Sequence, residues 1–117
     1  MVLKNATTGL VIADDVRVAR DPISRLVGLL SRATVSPNEG LWLGNCGAVH
    51  TMGMRATIDL IFLDEGNRVL GTTPNAVPGR LAFAHRGAKT VVELGAGSRL
   101  DLVEPGHKLE LEPAATP

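Results

Sequence analysis

Apolar residues in this chain occur mostly in short runs, and glycine, proline or acidic residues separate one run from the next. Runs of that length between turn-forming residues are typical of β-strands. The clearest run covers residues 58–63, which are aliphatic or aromatic apart from Asp59. A turn at residues 64–67 follows it, so residues 68–72 are expected to form its hairpin partner. Further strands are predicted at residues 10–13, 16–19, 41–43, 90–94, 100–103 and 108–111, the first two of them as an opening hairpin.

One segment has a helical period instead. Asp21 is a suitable N-cap, Pro22 suits the first helical position, and apolar side chains recur three or four positions apart from there on. The pattern predicts one short α-helix over residues 22–31. Residues 73–89 carry several prolines and glycines with weak periodicity, and a long loop is expected there.

A chain of 117 residues fits one domain that buries roughly two thirds of the surface of its unfolded chain. Thirteen glycines and seven prolines are spread among the short predicted strands, as the corners of a small barrel or of a strongly curved sheet require. A parallel α/β sheet would need several crossover helices, and the sequence predicts one. The predicted fold is therefore mainly β, a single barrel-like or strongly curved domain over residues 10–112, with tails at residues 1–9 and 113–117.

The charge balance limits the classes of partner. Twelve basic residues offset twelve acidic ones and no local cluster of lysine and arginine is evident, so nucleic-acid binding is not expected. Three aromatic residues leave few stacking platforms. No apolar run approaches the ~20 residues of a membrane span, and no signal-peptide pattern is present. We expect a soluble cytoplasmic protein, or an exported one if a leader precedes this sequence; its oligomeric state is open.

Cys46, His50 and Met54 bring soft-metal and nucleophilic side chains close together in the sequence. In an extended segment, Cys46 and His50 would lie ~13 Å apart, because a strand rises about 3.3 Å per residue. In a helical turn, the three side chains would stack about 6 Å apart and could hold copper or zinc. The alternatives stay open: Cys46 as a small core residue or a nucleophile, and His50 as a ring that orders the turn through a backbone hydrogen bond.

Asp59 interrupts an apolar strand, and a buried carboxylate is costly unless it is paired or hydrogen-bonded. Arg55, Arg32 and Arg25 are its candidate partners, either as a clamp within the fold or as a site for an anionic ligand. Glu93 could form an acid–base pair with Asp59 if the fold brought the two carboxylates together. The candidate ligand-binding residues are His50, Thr51, Met54, Arg55, Asp59, Arg32 and Arg25, and the candidate metal ligands are Cys46, His50 and Met54.

Three motifs occur in order along the chain. Residues 25–32 combine arginine, glycine-leucine-leucine and arginine, and Val92-Glu93-Leu94, Gly97 and Gly106 combine an acidic strand with two glycines. Between them lie Gly40-Leu41-Trp42-Leu43, Cys46, His50-Thr51, Met54-Arg55, Ile58-Asp59 and Phe62-Leu63-Asp64. Together they resemble the helix motif, the C-terminal pattern and the central signature of a known family, the domain of unknown function 192. In the central signature, other members carry a Trp-Met-Lys-Asn-Thr run where this chain has the variant with Cys and His-Thr.

The resemblance implies a compact β-rich fold and no known activity. His107 departs from the family pattern, in which aspartate usually follows the second glycine. The resemblance covers roughly residues 10–112, with the motifs in order. It identifies the positions of the family motifs in this chain and implies no particular reaction.

No complete catalytic set is visible in the sequence. The leading hypothesis is a non-catalytic domain, without a cofactor, that binds a polar small molecule or a protein partner on a surface formed by residues 42–59 and 73–87. The alternative is a protein that binds a soft metal such as copper, or zinc, or an enzyme, using Cys46, His50, Met54 and Asp59. A third hypothesis is a structural accessory subunit that self-associates through an exposed apolar patch.

Overall fold

The computed structural model of the chain describes residues 1–19, 33–80 and 82–114. This part of the protein is mainly β, as the sequence predicts. Within it, the helical structure is a turn of 3₁₀ helix at Leu100–Leu102, and no helix is long and apolar enough to cross a membrane. The strands are β1 (Val2–Asn5), β2 (Val11–Ala13), β3 (Asp15–Val18), β4 (Glu39–Gly44), β5 (Ala48–Val49), β6 (Ile58–Leu63), β7 (Val69–Ala76), β8 (Phe83–Ala84), β9 (Thr90–Gly95) and β10 (Leu109–Glu112).

Five strands form the central sheet, in the order β3-β4-β9-β6-β7. β3 runs parallel to β4, and the other neighbours are antiparallel. Every residue of β6 and of β9 is buried, because these strands lie inside the sheet and both of its faces are covered. This double burial explains why residues 58–63 show a nearly continuous apolar run rather than an alternation with polar residues.

Alternate residues of β6 contribute to two hydrophobic cores on opposite faces of the central sheet. Ile58, Leu60 and Phe62 belong to the first core, and Ile61 and Leu63 belong to the second. Full burial of an aliphatic or aromatic side chain contributes roughly 1.5–3 kcal/mol, so both cores add substantially to stability. The first core also contains Val35, Leu41, Leu43, Val49, Met54, Ala56, Ala76, Ala88 and Val91, and the second contains Leu3, Ile12, Ala13, Val16, Val69, Val92, Leu94, Val103 and Leu109.

A three-stranded sheet in the order β10-β1-β2 packs against the second core. β1 lies in its middle and pairs antiparallel with both neighbours, and Leu3 is fully buried. The N-terminal amino group of Met1 donates a hydrogen bond to the Val16 carbonyl oxygen at 2.8 Å. Residues 2–5 therefore belong to the folded domain, which corrects the tail predicted over residues 1–9; only two adjacent apolar residues mark this strand in the sequence.

The opening hairpin predicted for residues 10–19 is wrong. β2 pairs with β1, whereas β3 pairs with β4 in the central sheet. Asp14 alone separates β2 from β3, and a hairpin needs at least two turn residues. The chain therefore passes from one sheet to the other at Asp14, whose amide donates a hydrogen bond to the Asn38 side chain at 3.0 Å.

The hairpin of β6 and β7 and the strands near residues 41–43, 90–94 and 108–111 are confirmed. β7 continues to Ala76 and β8 forms at Phe83–Ala84, so residues 73–89 are only partly loop. The helix predicted over residues 22–31 lies outside the described residues.

The strand expected at residues 100–103 is the 3₁₀ turn instead. The amides of Leu102 and Val103 donate to carbonyl oxygens three residues earlier. Beside them, the Arg99 guanidinium donates two hydrogen bonds of 3.0 Å to Asp101 and lowers the pKa of that exposed carboxyl. These local bonds favour a turn over pairing with another strand.

The described strands do not close into a barrel, because β3 and β7 are the edges of the central sheet and β5 and β8 form a separate two-stranded ribbon. Glycines allow close backbone approaches to the central sheet. A Cβ atom at Gly40 would overlap the Glu93 carbonyl oxygen, and one at Gly95 would overlap the carbonyl oxygens of Val35 and Ser36. These two glycines are therefore required by the packing around β9.

We expect Gly40→Ala to destabilise the fold, because the added methyl group would overlap the backbone of β9, which lies between the two cores. Overpacking of this kind costs about 1–3 kcal/mol. Gly44→Ala is the matched control in the same strand, since the nearest neighbour of its Cβ would be the Trp42 side chain at 4.0 Å. Urea denaturation gives the free energy of unfolding of both variants, and equal values would contradict the expectation.

Candidate functional site

Two segments that are distant in the sequence come together beside the first core. β5 pairs antiparallel with β8, and the Cys46 amide donates a hydrogen bond to the Lys89 carbonyl oxygen at 2.9 Å. We call residues 46–57, 77–80 and 82–88 the ribbon lobe. Apart from residue 88, the lobe lies within the segments 42–59 and 73–87, from which the sequence predicted a binding surface.

Thr51 holds the two segments of the ribbon lobe together. Its side chain is fully buried; the hydroxyl donates to the Val77 carbonyl oxygen at 2.7 Å and accepts from the Arg80 amide at 2.9 Å. Its own amide donates to the Arg80 carbonyl oxygen, and its carbonyl oxygen accepts from the amides of Gly79 and Met54. The Thr51 hydroxyl, predicted to contact a ligand, is thus engaged within the fold.

The three candidate metal ligands lie in different environments. Cys46 is half-buried, and its Sγ donates to the Ala48 carbonyl oxygen at 3.0 Å. Met54 is buried in the first core. His50 is exposed and makes no hydrogen bond to any described residue, so the interpretation that its ring orders the turn is not supported. Among the described residues, no group of three or more His, Cys, Asp or Glu side chains is placed to hold a metal ion.

Asp59 is buried, with 3% of its surface exposed, and its carboxylate accepts three hydrogen bonds. One oxygen accepts from the Asn75 amide at 2.9 Å, and the other accepts from the Ser98 amide at 3.0 Å and the Ser98 hydroxyl at 2.6 Å. The prediction that this carboxylate needs partners is confirmed. Its partners are two backbone amides and a hydroxyl, and no described arginine lies within salt-bridge distance.

A β-bulge explains the position of Asp59. Ile58 pairs with Ala76 and Leu60 pairs with Thr73, so Asp59 faces two residues of β7 rather than one. The first of these residues, Pro74, has no N–H group, and the second, Asn75, has a φ angle of 54°. The bulge removes the Asn75 amide from the hydrogen-bond ladder between β6 and β7. The Asp59 carboxylate accepts a hydrogen bond from that amide instead.

The other charged candidates do not join Asp59 in the described part of the chain. Arg55 is exposed, and Arg25 and Arg32 lie outside the described residues. Asp59 lies opposite Leu94 in the β6–β9 pairing and Glu93 lies opposite Leu60, so the two carboxylates point to opposite faces of the sheet. The acid–base pair that the sequence left open is therefore ruled out.

His107, where the family resemblance leads one to expect aspartate, is an acceptor within the fold. The buried Asn5 side chain accepts from the amides of Thr7 and Thr8, so its NH₂ group faces His107 and donates to Nδ1 at 2.9 Å. The Glu104 amide donates to the same nitrogen at 3.2 Å. A carboxylate oxygen would accept the same two hydrogen bonds, so His107 occupies an acceptor position within the fold.

The ribbon lobe carries cations without acidic residues. No aspartate or glutamate occurs between Glu39 and Asp59 or between Glu65 and Glu93. The lobe contains the exposed side chains of Arg55, Arg80, Arg86, His50 and His85, in a protein of zero formal net charge. Within the described residues, neither Arg80 nor Arg86 forms an ion pair. The fold therefore gives one region of a neutral protein a positive charge.

Sequence reasoning missed Arg80 and Arg86 because it searched for lysines and arginines adjacent in the chain. These residues are separated from Arg55 in the sequence by β6 and β7, and their segments are joined to residues 48–51 by the Thr51 hydrogen bonds and the β5–β8 ribbon. The signal that could have identified them is the pair of long stretches without acidic residues.

We expect Asp59→Ala to lower the free energy of unfolding by about 3 kcal/mol, since it leaves the partly buried donors of Asn75 and Ser98 without their acceptor. Asp59→Asn keeps one oxygen acceptor and should lose less stability. Thermal and urea denaturation of both variants tests this; an unchanged melting temperature for Asp59→Ala would show that the carboxylate is not structurally required.

Thr51→Val removes one hydroxyl at nearly constant volume and leaves the Arg80 amide and the Val77 carbonyl without that partner. We expect a loss of about 1–3 kcal/mol and faster hydrogen exchange at the Arg80 amide. Thr51→Ser, which keeps the hydroxyl, is the control. Equal exchange rates in the two variants would contradict the role of the hydroxyl as the connection within the lobe.

Comparisons with known proteins agree with this architecture. The profile of the DUF192 family, described as an uncharacterized ACR, matches residues 2–111. A search of curated proteins finds no match. The structure is similar to that of a candidate transcription regulator from Sinorhizobium meliloti 1021, at 27% identity and a TM-score of 0.74 over 93% of this chain and 89% of that one.

A protein of unknown function from Novosphingobium aromaticivorans DSM 12444 is similar as well, at 25% identity and a TM-score of 0.75 over 94% of this chain and 83% of that one. The family profile covers nearly the whole chain, including β1, which lies outside the residues 10–112 of the motif resemblance. The chain therefore belongs to the DUF192 family, whose function is uncharacterised.

Proposed function

We propose that this protein is a non-catalytic domain that binds a carboxylate-bearing partner, either a small polar molecule or an acidic protein segment, on the ribbon lobe and without a cofactor. The observation that carries the proposal is the positive charge of the lobe in a protein whose formal net charge is zero.

Carboxylates are suitable ligands for such a surface. The arginine guanidinium group binds a carboxylate through two parallel hydrogen bonds, and Arg80 and Arg86 have no ion pair among the described residues to compete with it. The field of the lobe is local, because charges are screened over about 8 Å at physiological ionic strength. Met52 and Val77, which are 46% and 41% exposed, add apolar contact area beside the cations.

Nucleic acid is a less suitable partner. The protein has no net positive charge, and its aromatic residues are Trp42, Phe62 and Phe83, none of which is exposed enough to act as a stacking platform. The similar Sinorhizobium meliloti protein is described as a candidate transcription regulator. A DNA duplex is therefore included among the binding probes.

A copper or zinc site at Cys46, His50 and Met54, or an enzyme that also uses Asp59, stays a prediction of the sequence. It has weaker support than the lobe, because Met54 is buried in the first core while His50 is exposed. The Asp59 carboxylate already accepts three hydrogen bonds.

Charge reversal tests the proposal. In titrations with a hexaglutamate peptide and with citrate at low ionic strength, we expect the Arg80→Glu, Arg86→Glu double variant to bind at least one of them about tenfold more weakly, a change of ~1.4 kcal/mol. The matched control is Arg17→Glu, Lys108→Glu, which changes the net charge equally at exposed positions outside the lobe. Nuclear magnetic resonance shifts of the lobe amides locate the binding.

The two probes distinguish an acidic protein segment from a small molecule. Equal losses in the two double variants would show that the binding reflects net charge and not the lobe, and would contradict the proposal. Tighter binding of a DNA duplex than of either carboxylate probe would replace the carboxylate partner with nucleic acid.

A further inference from the structure

A second, separate feature is a depression of about 470 Å³ at one end of the central sheet. It is lined by Gly44, Asn45, Glu65, Lys89 and Thr90. Gly44 pairs with Thr90 on one side and Leu63 pairs with Thr90 on the other, so the depression lies where β4, β9 and β6 meet at their ends. Its volume falls in the range of small-molecule sites, which is roughly 300–1,000 Å³.

Thr90 is the unusual member of this lining. Only 6% of its surface is exposed, yet its hydroxyl makes no hydrogen bond to any described residue. Buried polar groups in proteins nearly always have a partner, and in the described residues every fully buried side-chain nitrogen or oxygen has one. The Thr90 hydroxyl must therefore open into the depression, where a molecule from outside can supply its partner.

Two opposite charges flank the same depression from different elements. Lys89 precedes β9, and Glu65 lies in the turn between β6 and β7. Both side chains are exposed, and the two do not approach within the 4.0 Å of an ion pair. The side-chain amide group of Asn45 also makes no hydrogen bond within the described residues. An ammonium and a carboxylate on different elements that line one cavity complement a ligand that carries both charges.

The backbone around the depression is fixed before any ligand binds. The Lys89 amide donates to the Leu63 carbonyl oxygen at 2.8 Å, and the Lys89 carbonyl oxygen accepts from the Cys46 amide at 2.9 Å. The Lys89 backbone is thus bonded to Leu63, the last residue of β6, and to Cys46, which follows β4. A fixed backbone lowers the entropy cost of binding, because only the side chains of Glu65, Lys89 and Asn45 need to become ordered.

We propose that this depression binds a small zwitterion, a molecule of the amino-acid class that carries one ammonium and one carboxylate group. Lys89 and the Thr90 hydroxyl bind the carboxylate, Glu65 binds the ammonium group, and the Asn45 amide hydrogen-bonds to either. The site is separate from the ribbon lobe, and none of its lining residues belongs to the lobe.

The test uses three probes of similar size: 4-aminobutanoate as the zwitterion, butanoate as the anion and butylamine as the cation. We expect 4-aminobutanoate to shift the backbone amide resonances of residues 44, 45, 65, 89 and 90 saturably, with a dissociation constant on the order of 1 mM for so open a site. The two probes with a single charge should bind at least about fivefold more weakly.

Three variants assign the roles. Lys89→Met should weaken 4-aminobutanoate and butanoate, and Glu65→Gln should weaken 4-aminobutanoate and butylamine, each by about fivefold. Thr90→Val should weaken 4-aminobutanoate about threefold while leaving the melting temperature unchanged or higher, because its hydroxyl has no partner in the fold to lose. The unchanged fold separates a ligand role from a structural one.

No saturable shift of these amides at about 50 mM 4-aminobutanoate would overturn the proposal. Butanoate that binds as tightly as 4-aminobutanoate would also overturn it, since the depression would then be an anion site. A lower melting temperature for Thr90→Val would show that the hydroxyl has a structural partner. None of these results depends on the charge-reversal variants of the ribbon lobe, so the two proposals can fail separately.

Discussion

β6 and β9 lie side by side in the central sheet with every residue buried, and a strand in that position has no solvent-facing side on which a polar group is tolerated without a partner. The cores on the two faces of the sheet form because β6 supplies apolar side chains alternately to each. Two glycines allow close backbone contacts with this pair: Gly40 lets β4 approach β9 within the sheet, and Gly95 lets residues 35 and 36 lie against β9. The remaining elements of the described structure are arranged around this strand pair.

Polar groups in the interior show how strictly the fold meets that requirement. Asn5, Thr51 and Asp59 are buried, and each makes several hydrogen bonds that connect distant segments. These hydrogen bonds fix loops and a bulge. Thr90 differs from them, because it is nearly as buried and its hydroxyl makes no such bond. A group that departs from the pattern of its neighbours is a reason to look for a ligand.

The parts of the fold that were predictable are those whose signal is local. β6 is apolar apart from Asp59, β9 carries Val91, Val92 and Leu94, and the turn at residues 64–67 identifies the partner of β6. β1 and β8 have weak local patterns and form because distant strands pair with them, Val2 with Glu112 and Phe83 with Val49. The apolar neighbours of Asp59 made it predictable that its carboxylate needs hydrogen-bond partners. The identity of one partner, Ser98, was not predictable, because the turn after β9 positions it. The charge of the ribbon lobe likewise arises from tertiary contact and not from any one segment.

The pairing of β1 with β10 joins residues that are far apart in the sequence, such as Val2 and Glu112. During synthesis, β1 emerges from the ribosome long before its β10 partner exists, and Leu3 then has no completed sheet to cover it. The three-stranded sheet forms only after the last strand is made, which raises the contact order and slows this final step. Until then, β1 presents an open edge, and the nascent protein is at that stage most exposed to mispairing with other chains.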